Sequence, residues 1–328
     1  MVLLGGSGID VSRLLLGCGN FGGIGSSPAF FGRGETKEQA FALMDAAWEG
    51  GLTTFDTADA YGGGRSEEYI GAWLRTKGPE VRDGIVLSTK TFNPMDDGED
   101  HGLAPGRVKR QLETSLGRLG VERVAMYLAH DWDPDVPVAE TLGAFDELVR
   151  AGKVGAVGVS NIDGPQLASA LAASERDGLV RYEWVQNSYS LLDREAERDV
   201  LPLCAEHGLG FTPFSPLAGG WLTGKYRRGE PAPDGSRMTM RPEPYRHLVD
   251  DEAVWNGLEG LARLAEARET TSATLALAWL LAEPRLTGLV TGARRPDQLS
   301  EPLAALATPL SAEDRAELTE LFGGTLSA

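Results

Sequence analysis

Residues 36 to 56 read Thr36-Lys37-Glu38-Gln39-Ala40-Phe41-Ala42-Leu43-Met44-Asp45-Ala46-Ala47-Trp48-Glu49-Gly50-Gly51-Leu52-Thr53-Thr54-Phe55-Asp56. This is a capped helix, a stop and a short strand. Thr36 to Gln39 form a capping box, in which the two side chains satisfy orphan backbone N–H groups at a helix start. Phe41, Met44 and Trp48 then recur at helical spacing, and Gly50-Gly51 ends the run. Thr53 to Asp56 follow as a strand that finishes on a carboxylate.

The same unit repeats on both sides. Candidate strands are Leu14 to Gly17, Thr53 to Asp56, Ile85 to Thr89, Val124 to Leu128, Val154 to Val159, Tyr182 to Gln186, Gly210 to Phe214 and Gly288 to Thr291. Between them, Pro105 opens a helix carrying Val108, Leu112, Leu116 and Leu119, with Gly120 as its stop. Pro137 opens another carrying Leu142, Phe145 and Val149, closed by Gly152. Eight strand-helix units with no linker between them predict an α/β fold, a (β/α)8 TIM barrel, as one domain over residues 1–328. The spacing is uneven only between Phe214 and Gly288. A Gly-, Pro- and Arg-rich loop from Gly219 to Pro244, an extra helix from about Asp251 to Glu269 and a helix from Ser272 to Leu281 fill that interval, and long loops in compact domains tend to be functional. Val2 to Leu4 and Asp10 to Ser12 are placed as a hairpin ahead of the first barrel strand.

Composition narrows the partners. With 31 Lys plus Arg against 48 Asp plus Glu, the 328-residue chain carries a formal charge of −17. An acidic surface repels phosphodiester backbones and anionic lipid, so neither nucleic acid nor membrane is expected as a partner, and an anionic ligand needs a local basic pocket. The short N-terminal apolar stretch lacks a preceding basic residue and does not read as a signal peptide. The run from Leu275 to Ala282 is far below the ~18 residues of a membrane span. Cys18 and Cys204 are too few for a disulfide framework, so a cytoplasmic location is expected.

Three motifs fail on context. Gly17-Cys18-Gly19-Asn20-Phe21-Gly22 matches G-x-G-x-x-G, but Gly22 runs into Gly23-Ile24-Gly25-Ser26-Ser27-Pro28 rather than opening a helix. Gly219 to Lys225 starts like a phosphate-binding loop, yet Tyr226 stands where a hydroxyl must ligate magnesium. The histidines at 101, 130, 207 and 247 show no metal-ligand pairing, and there is no G-x-S-x-G elbow.

In a barrel of this kind the C-terminal strand ends share one mouth. The second strand ends at Asp56, the third runs into Lys90 and the fourth into His130, while Tyr61 lies in the loop above Asp56. Singly, each has an ordinary reading: a turn cap, a rim aromatic, a solvated lysine, a core histidine. Together they describe a phenol, a cation, a carboxylate and an imidazole that converge. An ammonium favours the phenolate, and the carboxylate keeps that ammonium charged despite burial. Such a site polarises a carbonyl and protonates the oxygen formed, with the hydride coming from a cofactor.

At this point the chain resembles the aldo-keto reductase superfamily over nearly its whole length, including bacterial members and potassium-channel β subunits. The resemblance rests on Thr54 to Gly62, Leu87 to Lys90, Tyr127 to Pro134, Gly158-Val159-Ser160-Asn161, Gln186 to Leu192, Phe214 to Leu217 and Gly292-Ala293-Arg294. It implies a catalytic tetrad of Asp56, Tyr61, Lys90 and His130, with Tyr61 as general acid, and NADP(H) extended across the mouth. It implies further that Ser160, Asn161 and Gln186 hold the nicotinamide carboxamide and that Phe214 stacks on the ring. Ser215, Leu217, Gly219, Lys225 and Arg237 would cover the pyrophosphate. Gly292, Arg294, Gln298 and Glu301 fall at the adenosine end, where Arg294 or Arg295 favours a 2′-phosphate. Pro302 stands where relatives often carry Asn, and Asp131 where they often carry Arg.

Phe21, Phe92 and Trp132 are placed as substrate-pocket walls, with packing under loops as the other reading. Asp96 to Asp100 adds negative charge near the mouth. The expected substrate is a small carbonyl compound. Oxidation of a sugar or alcohol, or a role as cofactor-binding auxiliary subunit, are the alternatives, and oligomeric state is not readable from these residues.

Overall fold

A computed structural model describes residues 1–96 and 100–323. Most of the acidic run, residues 97–99, lies outside the described residues. Two short strands, β1 (Val2–Leu3) and β2 (Asp10–Val11), precede eight barrel strands: β3 (Leu14–Gly17), β4 (Thr54–Asp56), β5 (Val86–Thr91), β6 (Val124–Ala129), β7 (Val154–Ser160), β8 (Tyr182–Gln186), β9 (Gly210–Phe211) and β10 (Leu289–Thr291). The eight are parallel and hydrogen-bonded in the order β10-β3-β4-β5-β6-β7-β8-β9. The outer edges meet through Thr287 N–H donating to Phe211 O at 2.9 Å and Val290 N–H donating to Pro213 O at 2.9 Å. This is the (β/α)8 barrel that the alternation predicts.

The helices are α1 (Lys37–Glu49), α2 (Arg65–Arg75), α3 (Pro79–Gly84), α4 (Pro105–Leu119), α5 (Val138–Arg150), α6 (Gly164–Asp177), α7 (Val200–His207), α8 (Arg237–Met240), α9 (Glu252–Ala267), α10 (Ser272–Leu281), α11 (Ser300–Leu306) and α12 (Ala312–Glu320). The Thr36 capping box forms in both directions. The extra helix is α9, with Asp251 rather than an internal residue as its cap. Most strand ends fall within a residue or two of expectation, and one strand falls further short. β9 stops at Phe211 instead of Phe214, because Pro213 has no N–H to give the ladder; Phe214 rejoins only by an isolated bridge to Ser188. The loop from Gly219 to Pro244 is partly ordered into a 3-10 turn over Ala218–Thr223 and the short α8.

Two apolar clusters divide the interior. The larger lies between sheet and helices; the smaller fills the barrel with Leu15, Met126, Leu128, Trp184 and Val290, and Leu4 and Val11 of the hairpin join it. The β1–β2 hairpin therefore closes the N-terminal end of the barrel.

α2 packs backbone-close on the end of α4. A Cβ at Gly71 would stand 2.1 Å from Arg118 O and 2.8 Å from Leu119 O, whereas one at Gly143 in α5 would meet nothing within 4 Å. Alanine stabilises an exposed helix interior over glycine by roughly 1 kcal/mol, but overpacking costs about 1–3 kcal/mol. Gly143→Ala is thus expected to raise the urea midpoint and Gly71→Ala to lower it; two shifts of the same sign would contradict this packing.

Candidate active site

Asp56 ends β4, Lys90 lies near the end of β5 and His130 follows β6, so the sheet aims all three at one mouth. Tyr61 comes from the β4–α2 loop. Its turn continues through Gly62, Gly63 and Gly64, all with positive φ, and at Gly62 a Cβ would stand 2.6 Å from Phe21 O. The backbone folds tightly enough there to return the phenol over the strand ends.

Lys90 Nζ donates to Asp56 Oδ2 at 2.7 Å and to Thr57 O at 2.9 Å, and reaches Tyr61 Oη at 3.5 Å. Asp56 Oδ1 accepts from Ser88 Oγ at 2.6 Å. Both carboxylate oxygens are thereby occupied, in a pair whose side chains are only 1% and 3% exposed. His130 Nε2 lies 3.5 Å from the Tyr61 hydroxyl, and the two rings meet edge to face. The four predicted residues do converge.

Burial would strip the Lys90 proton, but the charge of Asp56, the neighbouring Tyr61 and their hydrogen bonds outweigh it and raise the ammonium above its ordinary value. Burial raises Tyr61, with Lys90 pulling the other way. Burial, then the Lys90 charge, push His130 well below the usual imidazole range, so its ring is neutral at physiological pH. The arrangement is a fixed cation, a protonated phenol and a neutral imidazole around one point, able to hydrogen-bond and protonate an oxygen placed there.

Beyond this group, Ser160 and Gln186 are buried at the ends of β7 and β8. Gln186 Nε2 is buried without a hydrogen-bond partner, an arrangement that suits a ligand oxygen. Asn161, at φ 54°, donates through Nδ2 to His130 O at 2.8 Å. Phe214 is half-buried against the barrel-interior cluster. Ser215, also at positive φ, has its hydroxyl 3.3 Å from that of Tyr245. Leu217 and Gly219 begin the turn that follows, and Lys225 Nζ lies over the Tyr226 ring.

Lys225, Arg237 and Arg294 form a basic group. Desolvation and then mutual repulsion lower Lys225, and Arg237 is lowered mainly by desolvation with Arg241 and Arg294 adding to it. Among the adenosine-end residues, Gln298 Oε1 accepts from the Arg294 and Arg295 backbones, Arg295 pairs with Asp297, Gly292 is open to solvent and Glu301 half-buried. Of the three aromatic residues, Phe21 is buried in the core, while Phe92 and Trp132 are half-buried against it.

Three contributors escaped the sequence reading. Glu35, 4% exposed, accepts from Arg294 Nε at 2.5 Å. Ser88 props Asp56. Asn93 stands beside His130. Ser88 carried a signal, since two residues before Lys90 on a strand it shares the lysine's face; the other two depend on contacts between distant segments.

With this geometry in place, comparison with known proteins is direct. The profile of the Aldo/keto reductase family matches residues 13–322, and the chain belongs to that family. It is 36% identical to "Uncharacterized oxidoreductase YrpG" of Bacillus subtilis, over 98% of this chain and 95% of the relative. It is 33% identical to a "Probable voltage-gated potassium channel subunit beta" of Arabidopsis thaliana, over 92% and 90%. It is 32% identical to an Escherichia coli "NADH-specific methylglyoxal reductase", over 97% of each. Among the described residues no helix is long and apolar enough to cross a membrane.

Removing one partner of a buried ion pair strands the other charge, at about 3–5 kcal/mol. Lys90→Met is therefore expected to lower unfolding free energy by that amount, and adding Asp56→Asn to recover part of it, as read in urea denaturation. Equal stability of the single and double variants would mean the pair is not desolvated. A second acid behind the site, Asp59, is pushed up to about 7 by burial and then by Glu67. Its unfolded value is about 3.9, so its contribution is complete below that pH and is lost as pH rises through the folded value. Melting curves from about pH 4 to 8 should show the Tm advantage of the parent chain over Asp59→Asn shrinking; a constant difference would contradict the shift.

Proposed function

We propose that the chain is an NADPH-dependent reductase of aldehydes or ketones, acting on a small carbonyl compound in the cytoplasm, with Tyr61 as proton donor. The observation that carries this reading is the Lys90 ammonium joined to Asp56 on one side and Tyr61 on the other, with neutral His130 facing the same hydroxyl. A nicotinamide cofactor held at this mouth would supply the hydride for the carbonyl carbon. His130 hydrogen-bonds the oxygen as negative charge develops, and Tyr61 gives it a proton. The phenolate left behind is stabilised by the ammonium, which Asp56 holds charged and in place.

The chain's own residues support a nicotinamide cofactor. The orphaned Nε2 of Gln186 suits a carboxamide oxygen, with Ser160 and Asn161 beside it and Phe214 as the stacking ring. Ser215, Leu217, Gly219, Lys225 and Arg237 would hold the pyrophosphate, and Gly292, Arg294, Gln298 and Glu301 the adenosine end. The repulsion within Lys225, Arg237 and Arg294 is relieved by an anion. Arg294 favours a 2′-phosphate, whereas Glu35 competes for the same guanidinium. The acidic partner moderates the preference for NADPH over NADH.

Tyr61→Phe is expected to reduce kcat for NADPH-driven reduction across an aldehyde and diketone panel by roughly 10²- to 10⁴-fold, with cofactor Kd nearly unchanged; retained turnover would remove Tyr61 as donor. Glu35→Gln keeps an acceptor for Arg294 but loses the charge. It should tighten NADPH by about tenfold with little effect on NADH, measured by fluorescence titration. An equal change for both cofactors would mean that Arg294 does not meet a 2′-phosphate.

A further inference from the structure

The two nitrogens of His130 face different partners. Nε2 looks to the Tyr61 hydroxyl at 3.5 Å, and Nδ1 stands 3.2 Å from Asn93 Nδ2. A neutral imidazole has one N–H and one bare nitrogen, and the partner of one fixes the state of the other. We infer that Asn93 is a positioning residue that places the His130 proton on Nε2: its amide N–H₂ can only donate, so Nδ1 must be the bare acceptor. The kinetic consequence rests on the reading of Tyr61 as proton donor; the tautomer itself does not.

The consequence for Tyr61 follows from donor and acceptor counting. With its proton on Nε2, His130 can donate to an oxygen at the mouth and cannot accept the phenol O–H. Lys90 likewise only donates. The Tyr61 hydrogen then has no acceptor among its two charged or polar neighbours, and is left directed at an incoming carbonyl oxygen. With the opposite tautomer, a bare Nε2 would take the phenol hydrogen bond and draw that proton away from the substrate.

The Asn93 position is itself built in. Arg107, 3% exposed, donates from Nη2 to Asn93 O at 2.8 Å and from Nη1 to Thr91 Oγ1 at 2.8 Å and Gly102 O at 3.0 Å. Thr91 Oγ1 donates onward to Asp59 Oδ2 at 2.7 Å, and Thr91 O accepts the His130 backbone N–H at 2.9 Å. Asn93 and His130 thus hang from the same residue, Thr91, and their separation is set by buried contacts.

The test is long-range proton–nitrogen correlation NMR on the full chain labelled with ¹⁵N-histidine. Only four histidines are present, and His130→Gln assigns the relevant signals by difference. The parent chain is expected to show His130 protonated on Nε2. A carboxylate at the same place can only accept, so Asn93→Asp, measured at about pH 8 to keep the ring neutral, is expected to move the proton to Nδ1. Asn93→Leu, which neither donates nor accepts, should give a mixture and serves if the aspartate variant folds poorly. In kinetics, Asn93→Asp should lower kcat at least tenfold with cofactor Kd unchanged, a split that loosened packing would not produce. A parent chain protonated on Nδ1, or variants whose tautomer matches the parent's, would overturn the inference. Tautomers as expected in a chain that reduces no carbonyl would instead overturn the function and leave Asn93 in its role.

Discussion

The ion pair between Lys90 and Asp56 is the contact around which the mouth of this barrel is arranged. Removing two charges from water is costly, and their attraction offsets that cost only with good geometry and with the remaining polar atoms satisfied. Here Ser88 occupies the second carboxylate oxygen and Thr57 O takes a further ammonium hydrogen. The register that sets Asp56 opposite Ser88 also carries Lys90 to the height of the carboxylate. A slip of one residue would turn the lysine to the other face of its strand. The sheet, the pair and the phenol beside it therefore stand or fall together.

Much of the architecture is written locally. The capping box at Thr36, the helix starts at Pro105 and Pro137 and the glycine stops are decided by neighbours in sequence, and the structure places them within a residue or two of expectation. The eight strands are legible for the same reason, since each is a short apolar run between such signals. β9 ends early because a single proline outweighs an apolar run. The convergence of Asp56, Tyr61, Lys90 and His130 was legible because a barrel makes strand ends equivalent.

Glu35 and Asn93 were hidden for a different reason. Glu35 sits next to a helix cap and reads as part of that helix's acidic start; nothing local says that it meets Arg294, which lies at the far end of the chain. Asn93 follows a strand as any loop residue does, and its meaning arises only from the angle at which His130 arrives. The missing contact of Gln186 Nε2 is similarly a property of packing, visible only when the surrounding atoms are placed. Pairings of this sort adjust chemistry already set by the fold, and the fold's own signals do not announce them.

The hairpin beneath the barrel has a bearing on traffic. Leu4 and Val11 join Trp184 and Leu15 in sealing the end opposite the site, so the vessel is blind. Any molecule that comes to rest above Asp56 and Lys90 must therefore cross the rim formed by the C-terminal ends of the strands.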